Sequence, residues 1–269
     1  MGEYGSIADL YDYVVPYHQR QDIDFFVQTA QASGGPVLEV GSGTGRVLIP
    51  IARAEVQITG FDLSPNMLQV CQRRLLAEPE AVRSMVTLKQ GDMRDFDLSS
   101  TFHLVILPFR PFQHLTTVDD QLSCLASIHR HLVPGGRLVL DLFNPWLEAL
   151  VQDNVGKEIG EEPEFATPDG RRVVRRHKIV GRDYTNQINH VELIYYVLHP
   201  DGREERLVHA FPMRYLFRFE AEHLLARCGF AVESIYADYD KTPYGSKYPG
   251  ELIFVAKKVR VSAGQLTST

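Results

Sequence analysis

The sequence predicts an α/β fold in which a doubly wound, mostly parallel sheet is interrupted by one antiparallel β insertion. Three observations carry that prediction. Short apolar runs alternate with stretches of helical period as far as Pro145. The first of these runs opens onto glycines at every second position, Gly41, Gly43 and Gly45. Beyond Trp146 the rhythm changes to three strand-like runs in succession.

In chain order, residues 1–20 are rich in Tyr and Asp, and a helix over Asp22–Ala32 follows, ended by Ser33-Gly34-Gly35-Pro36. Val37-Leu38-Glu39-Val40 reads as a buried strand, Gly41-Ser42-Gly43-Thr44-Gly45-Arg46 as a tight turn, and Val47–Ala52 as a helix start. Glycines there remove side chains where a ligand must approach the backbone. A helix start also favours an anionic ligand group. The spacing G-x-G-x-G departs from the dinucleotide fingerprint G-x-G-x-x-G, because Arg46 takes the sixth place. Glu39 would repel a pyrophosphate and attract an ammonium or a sulfonium. S-adenosylmethionine (SAM) carries both cations, one carboxylate and no phosphate, and fits this loop better than NAD does. An NAD enzyme stays as an alternative, distinguished by which nucleotide shifts the melting temperature.

Val56–Phe61 is the second strand, and Asp62 ends it about 20 residues past the first glycine, where an acid that binds ribose belongs. Ser64 as N-cap and Pro65 at the first helical position start a helix that brings Met67 over an adenine face. Met85–Lys89 is the third strand and leads to Gly91-Asp92-Met93. There Asp92 can accept from the adenine amino group and the Met93 backbone N–H can donate to the ring. Singly, Asp62 and Asp92 read at least as well as turn acids. Together with Glu39 they put three carboxylates at three consecutive strand ends, just outside which an open parallel sheet binds its ligands.

Phe102–Leu107 is the fourth strand, Val118–His131 a helix with Leu122, Leu125, Ile128 and Leu132 at helical spacing, and Arg137–Phe143 the fifth strand. Residues 154–170, rich in Gly, Pro and Glu, read as a mobile connection. Arg172–Gly181, His190–Leu198 and Glu204–Tyr215 form the antiparallel insertion, and Pro200-Asp201-Gly202 turns the last two. Its expected role is a lid over the strand ends that shuts water out. A dimer interface is the competing reading, and the two are compatible. The helix Glu220–Cys228, stopped by Gly229, and the strands Val232–Tyr236 and Leu252–Ala256 complete the fold. The chain thus divides into a catalytic domain (1–150 and 216–260), the insertion (151–215) and a flexible tail (261–269).

From Tyr4 to Lys258 the chain resembles the class I SAM-dependent methyltransferases. The glycine loop looks like their first motif, Gly60-Phe61-Asp62-Leu63-Ser64 their second and Gly91-Asp92-Met93 their third. Leu132-Val133-Pro134-Gly135-Gly136-Arg137-Leu138 is similar to the turn that enters their fifth strand. The resemblance implies a Rossmann-like seven-stranded sheet, SAM as cofactor, and in-line methyl transfer to an N or O atom of a small molecule. The general look is that of the bacterial small-molecule enzymes, including sugar-amine N-methyltransferases and glycine N-methyltransferase-like enzymes. It implies that Gly41, Gly43 and Gly45 admit the methionine part and that Glu39 orients its cations. Ser42, Leu63 and Leu107 join the cofactor set. Tyr11 and Arg20, with Asp12 and Tyr17, resemble the segment that closes over the methionine end, where Tyr11 would bond the cofactor carboxylate.

Methyl transfer needs an aligned, desolvated nucleophile and, for some acceptors, a base. His114, after the fourth strand, is the candidate base, with a reference pKa near 6.5; a cap on the following helix is its equal alternative. Arg110 suits a substrate carboxylate or is a surface arginine, and Gln113 is a second polar candidate in that loop. Asn144 and Trp146 follow the fifth strand and would line the acceptor pocket, with Arg214, Tyr215 and Tyr244 from the lid and the final loop. A neutral amine needs no strong base, whereas a phenol would benefit from His114.

Composition sets the exclusions. A formal charge of −6 over 269 residues argues against extended contact with a phosphate backbone. The loop Leu107-Pro108-Phe109-Arg110 also lacks the Asn/Asp-Pro-Pro-Tyr pattern of base-methylating enzymes, so no nucleic-acid partner is expected. No apolar run is long enough to span a bilayer, Met1-Gly2-Glu3-Tyr4 is not a signal peptide, and Gly2 with Ser6 matches a myristoylation pattern by chance. Cys71, Cys124 and Cys228 fall in predicted helices without a C-x-x-C pair and read as small buried residues of a cytoplasmic protein. The expected partner is a small-molecule acceptor, with no metal; a homodimer is one possible assembly, and the sequence does not fix the oligomeric state. The alternatives to an enzyme of this kind are a SAM-binding regulatory protein without turnover and a protein or RNA methyltransferase.

Overall fold

The computed structural model describes residues 7–14, 17, 20–160 and 162–259; the Gly2/Ser6 pattern and the tail at 261–269 lie outside the described residues. The first five strands are β1 (Val37–Val40), β2 (Ile58–Asp62), β3 (Val86–Gln90), β4 (Phe102–Leu107) and β5 (Leu132–Leu142). The insertion supplies β6 (Glu158–Ile159), β7 (Phe165–Ala166), β8 (Arg172–Asp183), β9 (Ile188–Leu198) and β10 (Glu204–Arg214). The last two are β11 (Phe230–Tyr236) and β12 (Leu252–Lys258). Among the described residues seven strands form one sheet in the order β11-β12-β5-β4-β1-β2-β3. β12 runs antiparallel to both of its neighbours, and the other pairings are parallel. This is the doubly wound α/β arrangement that the motifs imply.

Local chemistry explains the element ends. The helix Ile23–Ser33 stops at Gly34, which takes the left-handed conformation and bonds back to Gln31. Ser64 caps the helix Pro65–Leu76 by accepting from the Met67 N–H at 3.3 Å. Thr117 caps Val118–His131 in the same way through Asp120 at 3.1 Å. β5 begins five residues earlier than the sequence suggests. Phe102 pairs with Leu132, but Leu104 already pairs with Arg137, so the residues between bulge out of the ladder. The Pro-Gly-Gly turn is therefore real, yet it sits inside the strand.

Two apolar layers cover the sheet, as a mostly parallel sheet requires. Val40, Val105, Leu140 and Phe254 face one layer, packed with Leu125, Ile128 and Leu225. Val37, Leu104, Val139 and Ile253 face the other, packed with Phe26, Leu48 and Ile51. Among the described residues no helix is long and apolar enough to cross a membrane.

The insertion is more ordered than a three-stranded lid on a loose connection. β10, β9 and β8 form an antiparallel sheet, and the short β6 and β7, which lie within the expected connection, both pair with β8. Its apolar face is covered by the N-terminal segment: Ile7, Leu10 and Val14 pack with Phe165, Val173, Tyr195 and Val197. We expect Leu10→Ala, at a fully buried position, to cost about 2–5 kcal/mol in urea unfolding. A loss under about 1 kcal/mol would mean that the insertion keeps its place without this segment.

Candidate active site

A cavity of about 390 Å³ opens at the carboxyl ends of β1 to β4, the position at which such sheets bind ligands. Its wall includes the predicted residues Tyr11, Gly41, Asp62, Leu63, Met67, Asp92, Met93 and His114. Asp62 is the best-defined of these. Its Oδ2 accepts from the Gly43 N–H and its Oδ1 from the Ser64 N–H, both at 2.8 Å. Burial pushes its carboxyl up while these backbone bonds pull it down. Each oxygen keeps a further lone pair for a ligand hydroxyl. Asp92 is held by Arg94, whose side chain bonds both of its oxygens and keeps the carboxyl below its usual range. Asp92 is thus ionised and faces the cavity, but it shares its oxygens with a neighbour.

Glu39 lies near the end of β1, 3 % exposed and not among the residues that line the cavity. Its Oε2 and the Ser42 Oγ are buried without a hydrogen-bond partner among the described residues. Burial pushes the Glu39 carboxyl well up, against Arg46, with Asp22 and Asp62 adding to the push. An uncompensated buried carboxylate oxygen is costly, and a cationic ligand group is the chemistry that relieves it. Gly41 has φ +76°, and a Cβ there would meet Pro111 at 2.6 Å, so the loop has no room for a side chain against the wall after β4. Gly43 has φ +54° and open space where a Cβ would stand, with its N–H committed to Asp62. These features fit SAM: Asp62 for ribose hydroxyls, an unsatisfied acid for a cation, and a bare backbone between them.

The N-terminal segment reaches the same loop. Thr44 Oγ1 donates to Asp12, and Arg74 bonds Asp12 at 2.8 Å. Tyr11 lines the cavity beside Phe109, which also packs edge-on against Tyr17. Phe109 and Arg110 both take positive φ, 62° and 72°, a conformation that side chains disfavour. The turn is held by Asp141, fully buried, which accepts from the Phe109 N–H at 2.8 Å and the Tyr239 hydroxyl at 2.9 Å. Arg20 belongs to this network and not to the cavity wall. Its guanidinium bonds Asp22 and Asp141, each at 3.2 Å. Arg46, where a dinucleotide fold would place its third glycine, pairs with both oxygens of Asp22 at 2.7 and 2.5 Å. Asp22 and Asp141 are marked as anchors by partners distant along the chain, which no local pattern reports.

Several predicted acceptor contacts serve the framework instead. Gln113 is fully buried, with its amide donating to the Arg214 carbonyl and accepting from the Phe143 N–H. Both ends are committed to backbone, so it ties the insertion to the sheet. Arg110 bonds Glu251 at 2.9 Å and lies over the Phe143 ring. Asn144 bonds the Pro249 carbonyl and accepts from Tyr244. Trp146 packs on Phe143, and Arg214 pairs with Glu220. The Tyr215 carbonyl accepts from Gln187. None of these seven lines the cavity, and neither do Leu107, Ser42, Gly43 and Gly45.

His114 does line it, at the end of the 3-10 turn Pro111–His114. It is not the cap of the next helix, since Thr117 fills that position. Burial, with neighbouring His209 adding, pushes its imidazole down to about 4. Sequence reasoning missed two wall residues, His209 and Phe211 of β10. Their two-residue spacing puts them on one face of a strand, but which face meets the cavity depends on how the insertion docks.

Comparison with known proteins agrees with this geometry. A methyltransferase-domain family model matches residues 37–136, from β1 into the Gly-Gly turn of β5. A putative methyltransferase of Bacillus subtilis (strain 168), YqeM, is 24% identical over 95% of this chain and 97% of its own length. A dTDP-3-amino-3,4,6-trideoxy-alpha-D-glucopyranose N,N-dimethyltransferase of Streptomyces venezuelae is 34% identical, in a match that spans about half of each chain, 48% of this one and 49% of that one. In fold, the chain is similar to the CcbJ methyltransferase of Streptomyces caelestis, with a TM-score of 0.76 at 22% identity over 96% of this chain and 99% of that one. The SAM-bound amino pentose methyltransferase CalS10 of Micromonospora echinaspora has a TM-score of 0.67 at 23% identity over 93% and 97% of the two chains. The domain match lies over the glycine loop and the strand-end acids, the residues in which the chain is similar to the class I SAM-dependent methyltransferases.

Proposed function

We propose that this chain methylates nitrogen in a small molecule that reaches the cavity as a neutral amine. The observation that carries the reading is His114, a wall residue whose imidazole is pushed down to about 4. A base that weak is a poor acceptor for a phenolic proton. A neutral amine attacks through its own lone pair and sheds its proton afterwards. Among the described residues the cavity wall contains no Arg or Lys, and its acidic side chains are Asp62 and Asp92. That lining suits an uncharged acceptor and the positive charge that develops on its nitrogen. Relatives whose names specify N-methylation of amino sugars support the same choice.

SAM, when bound, supplies a methyl group activated by its sulfonium. In this reading Asp62 holds the ribose hydroxyls, and Asp92 and the Met93 N–H read the adenine between Leu63 and Met67. Glu39 and the glycine loop receive the methionine cations, with Tyr11 at its carboxylate. The N-terminal segment and β10 close the cavity and exclude water. The same reading places the protein in a reducing compartment, the cytoplasm. Support comes from the three cysteines, Cys71, Cys124 and Cys228, which are all unpaired. A second copy of the chain is the proposed partner at the insertion, where Val180, Tyr196 and Val208 are exposed. Nucleic acid has no part in it, in keeping with the net charge of −6.

Asp62→Ala removes two charged hydrogen bonds to the ribose, and we expect S-adenosylhomocysteine to bind about 100-fold more weakly by calorimetry. Unchanged affinity would remove Asp62 from the cofactor site. Near neutral pH, kcat/KM should rise with deprotonation of the acceptor amine itself, and His114→Gln should leave the midpoint of that rise in place. A midpoint that moves with the substitution would make His114 the titrating group. Stability gives an independent check. An unfolded histidine titrates at 6.5, whereas folded His114 titrates at about 4, so the folded state binds fewer protons between those values. Its contribution is fully present above pH 6.5 and is lost as the pH falls through about 4. His114→Gln should flatten that decline in denaturant titrations across this window.

A further inference from the structure

The two acids of the cavity wall are held in different ways. Asp62 is fixed from the backbone, by the N–H groups of Gly43 and Ser64. Asp92 follows β3, an edge strand of the sheet. Among the described residues its carboxylate accepts hydrogen bonds from one residue, Arg94. The Arg94 backbone N–H donates to Oδ1 at 2.9 Å. Its Nε donates to Oδ1 at 3.0 Å and to Oδ2 at 2.9 Å, and its Nη2 donates to Oδ2. Arg94 is in turn anchored to the helix Val118–His131. Its carbonyl accepts from the Ser123 hydroxyl at 2.6 Å, and its guanidinium lies 3.8 Å from the Asp120 carboxylate. Asp92 and Met93 line the cavity, whereas Arg94 does not.

We propose that Arg94 is a positioning residue for the base of the cofactor: it fixes the Asp92 carboxylate with one acceptor site open to the purine amino group, and so sets the preference for adenine. This rests on the reading of Asp92 as the acid that meets the adenine. An ionised carboxylate offers about four lone-pair sites. Three N–H groups of Arg94 occupy this one, those of the backbone, Nε and Nη2. About one site is left, enough for a single N–H of an amino group. A planar guanidinium spread over both oxygens also fixes the plane of the carboxylate, which a point charge does not. Orientation is the larger effect here. An aspartate without any partner already ionises near pH 4, so at neutral pH the loss of Arg94 leaves the charge in place and frees the carboxylate to turn into water. The Arg94 side chain is 50 % exposed, so the pair contributes little to stability and its loss should leave the fold intact.

The test is calorimetry on the full chain with two ligands: S-adenosylhomocysteine, and its 6-deamino analogue, in which hydrogen replaces the amino group of the purine. The unsubstituted chain should bind the first about tenfold more tightly, the worth of a hydrogen bond to a charged acceptor. Arg94→Ala should bring the two affinities within about twofold, by weakening S-adenosylhomocysteine and leaving the analogue nearly unchanged. Arg94→Lys keeps the charge but cannot span both oxygens, and should retain a preference of only about threefold. It decides the matter if the alanine variant does not fold. A merely structural role would weaken both ligands alike and keep their ratio. A tenfold preference that survives in Arg94→Ala, or that is whole in Arg94→Lys, therefore overturns the proposal. So does a preference that grows in Arg94→Ala, which would make Arg94 a competitor of the base for Asp92. In each of these cases the unsubstituted chain still prefers adenine, and the reading of Asp92 stands. If instead the unsubstituted chain binds both ligands equally, that reading falls and takes the role of Arg94 with it.

Discussion

The side chains of Ile7, Leu10 and Val14 must be covered, and the surface that covers them belongs to the antiparallel insertion. Burying three large apolar side chains contributes on the order of 1.5–3 kcal/mol each. The exposed pair Arg73–Asp9 at the edge of the same segment contributes little by comparison. Apolar burial therefore outweighs this exposed ion pair in fixing where the insertion sits. Asp12, on the same segment, reaches Thr44 in the glycine loop. A few residues near the start of the chain thus fasten the first motif of the sheet to a unit that begins more than a hundred residues later.

The cavity that results has an uneven electrostatic character. Carboxyl groups stand at the strand ends, with the Glu39 Oε2 unpaired among the described residues, while the wall from β10 and the turn after β4 is aromatic and apolar apart from its imidazoles. The boundary between these regions is the Phe109 turn. Two successive residues there hold a left-handed backbone, a cost of order 1–2 kcal/mol each. The contacts that offset it come from Asp141, from the Arg20 and Arg46 guanidinia against the Phe109 ring, and from Tyr17. Strain at the wall of a site, fixed by a fully buried acid, keeps an aromatic ring where an ordinary turn would turn it aside.

Most of the sheet was legible in the sequence because its signals are local. An apolar run, a Ser-Pro helix start and a Gly-Asp turn each report on the residues beside them, and Asp62 bonds Gly43 and Ser64 from the strand end where the pattern placed it. The acceptor side was not legible. Gln113, Arg110 and Asn144 are polar residues on the correct loops, yet their partners are the backbone of Arg214 and Phe143, the carboxylate of Glu251 and the carbonyl of Pro249. Docking of the insertion decides which loop residues face the cavity and which are consumed as ties. His209 was missed for the same reason, since period two gives a strand its faces but not its neighbours.

The dual attachment of the N-terminal segment also constrains how such a protein can diversify. An insertion taken from a relative and grafted here would arrive without the residues that complete its apolar layer, and Ile7, Leu10 and Val14 would meet a foreign surface. A new acceptor preference is therefore inherited as two distant stretches of chain together, the antiparallel sheet and the short helix near the start, so chimaeras cut only at the insertion borders should misassemble.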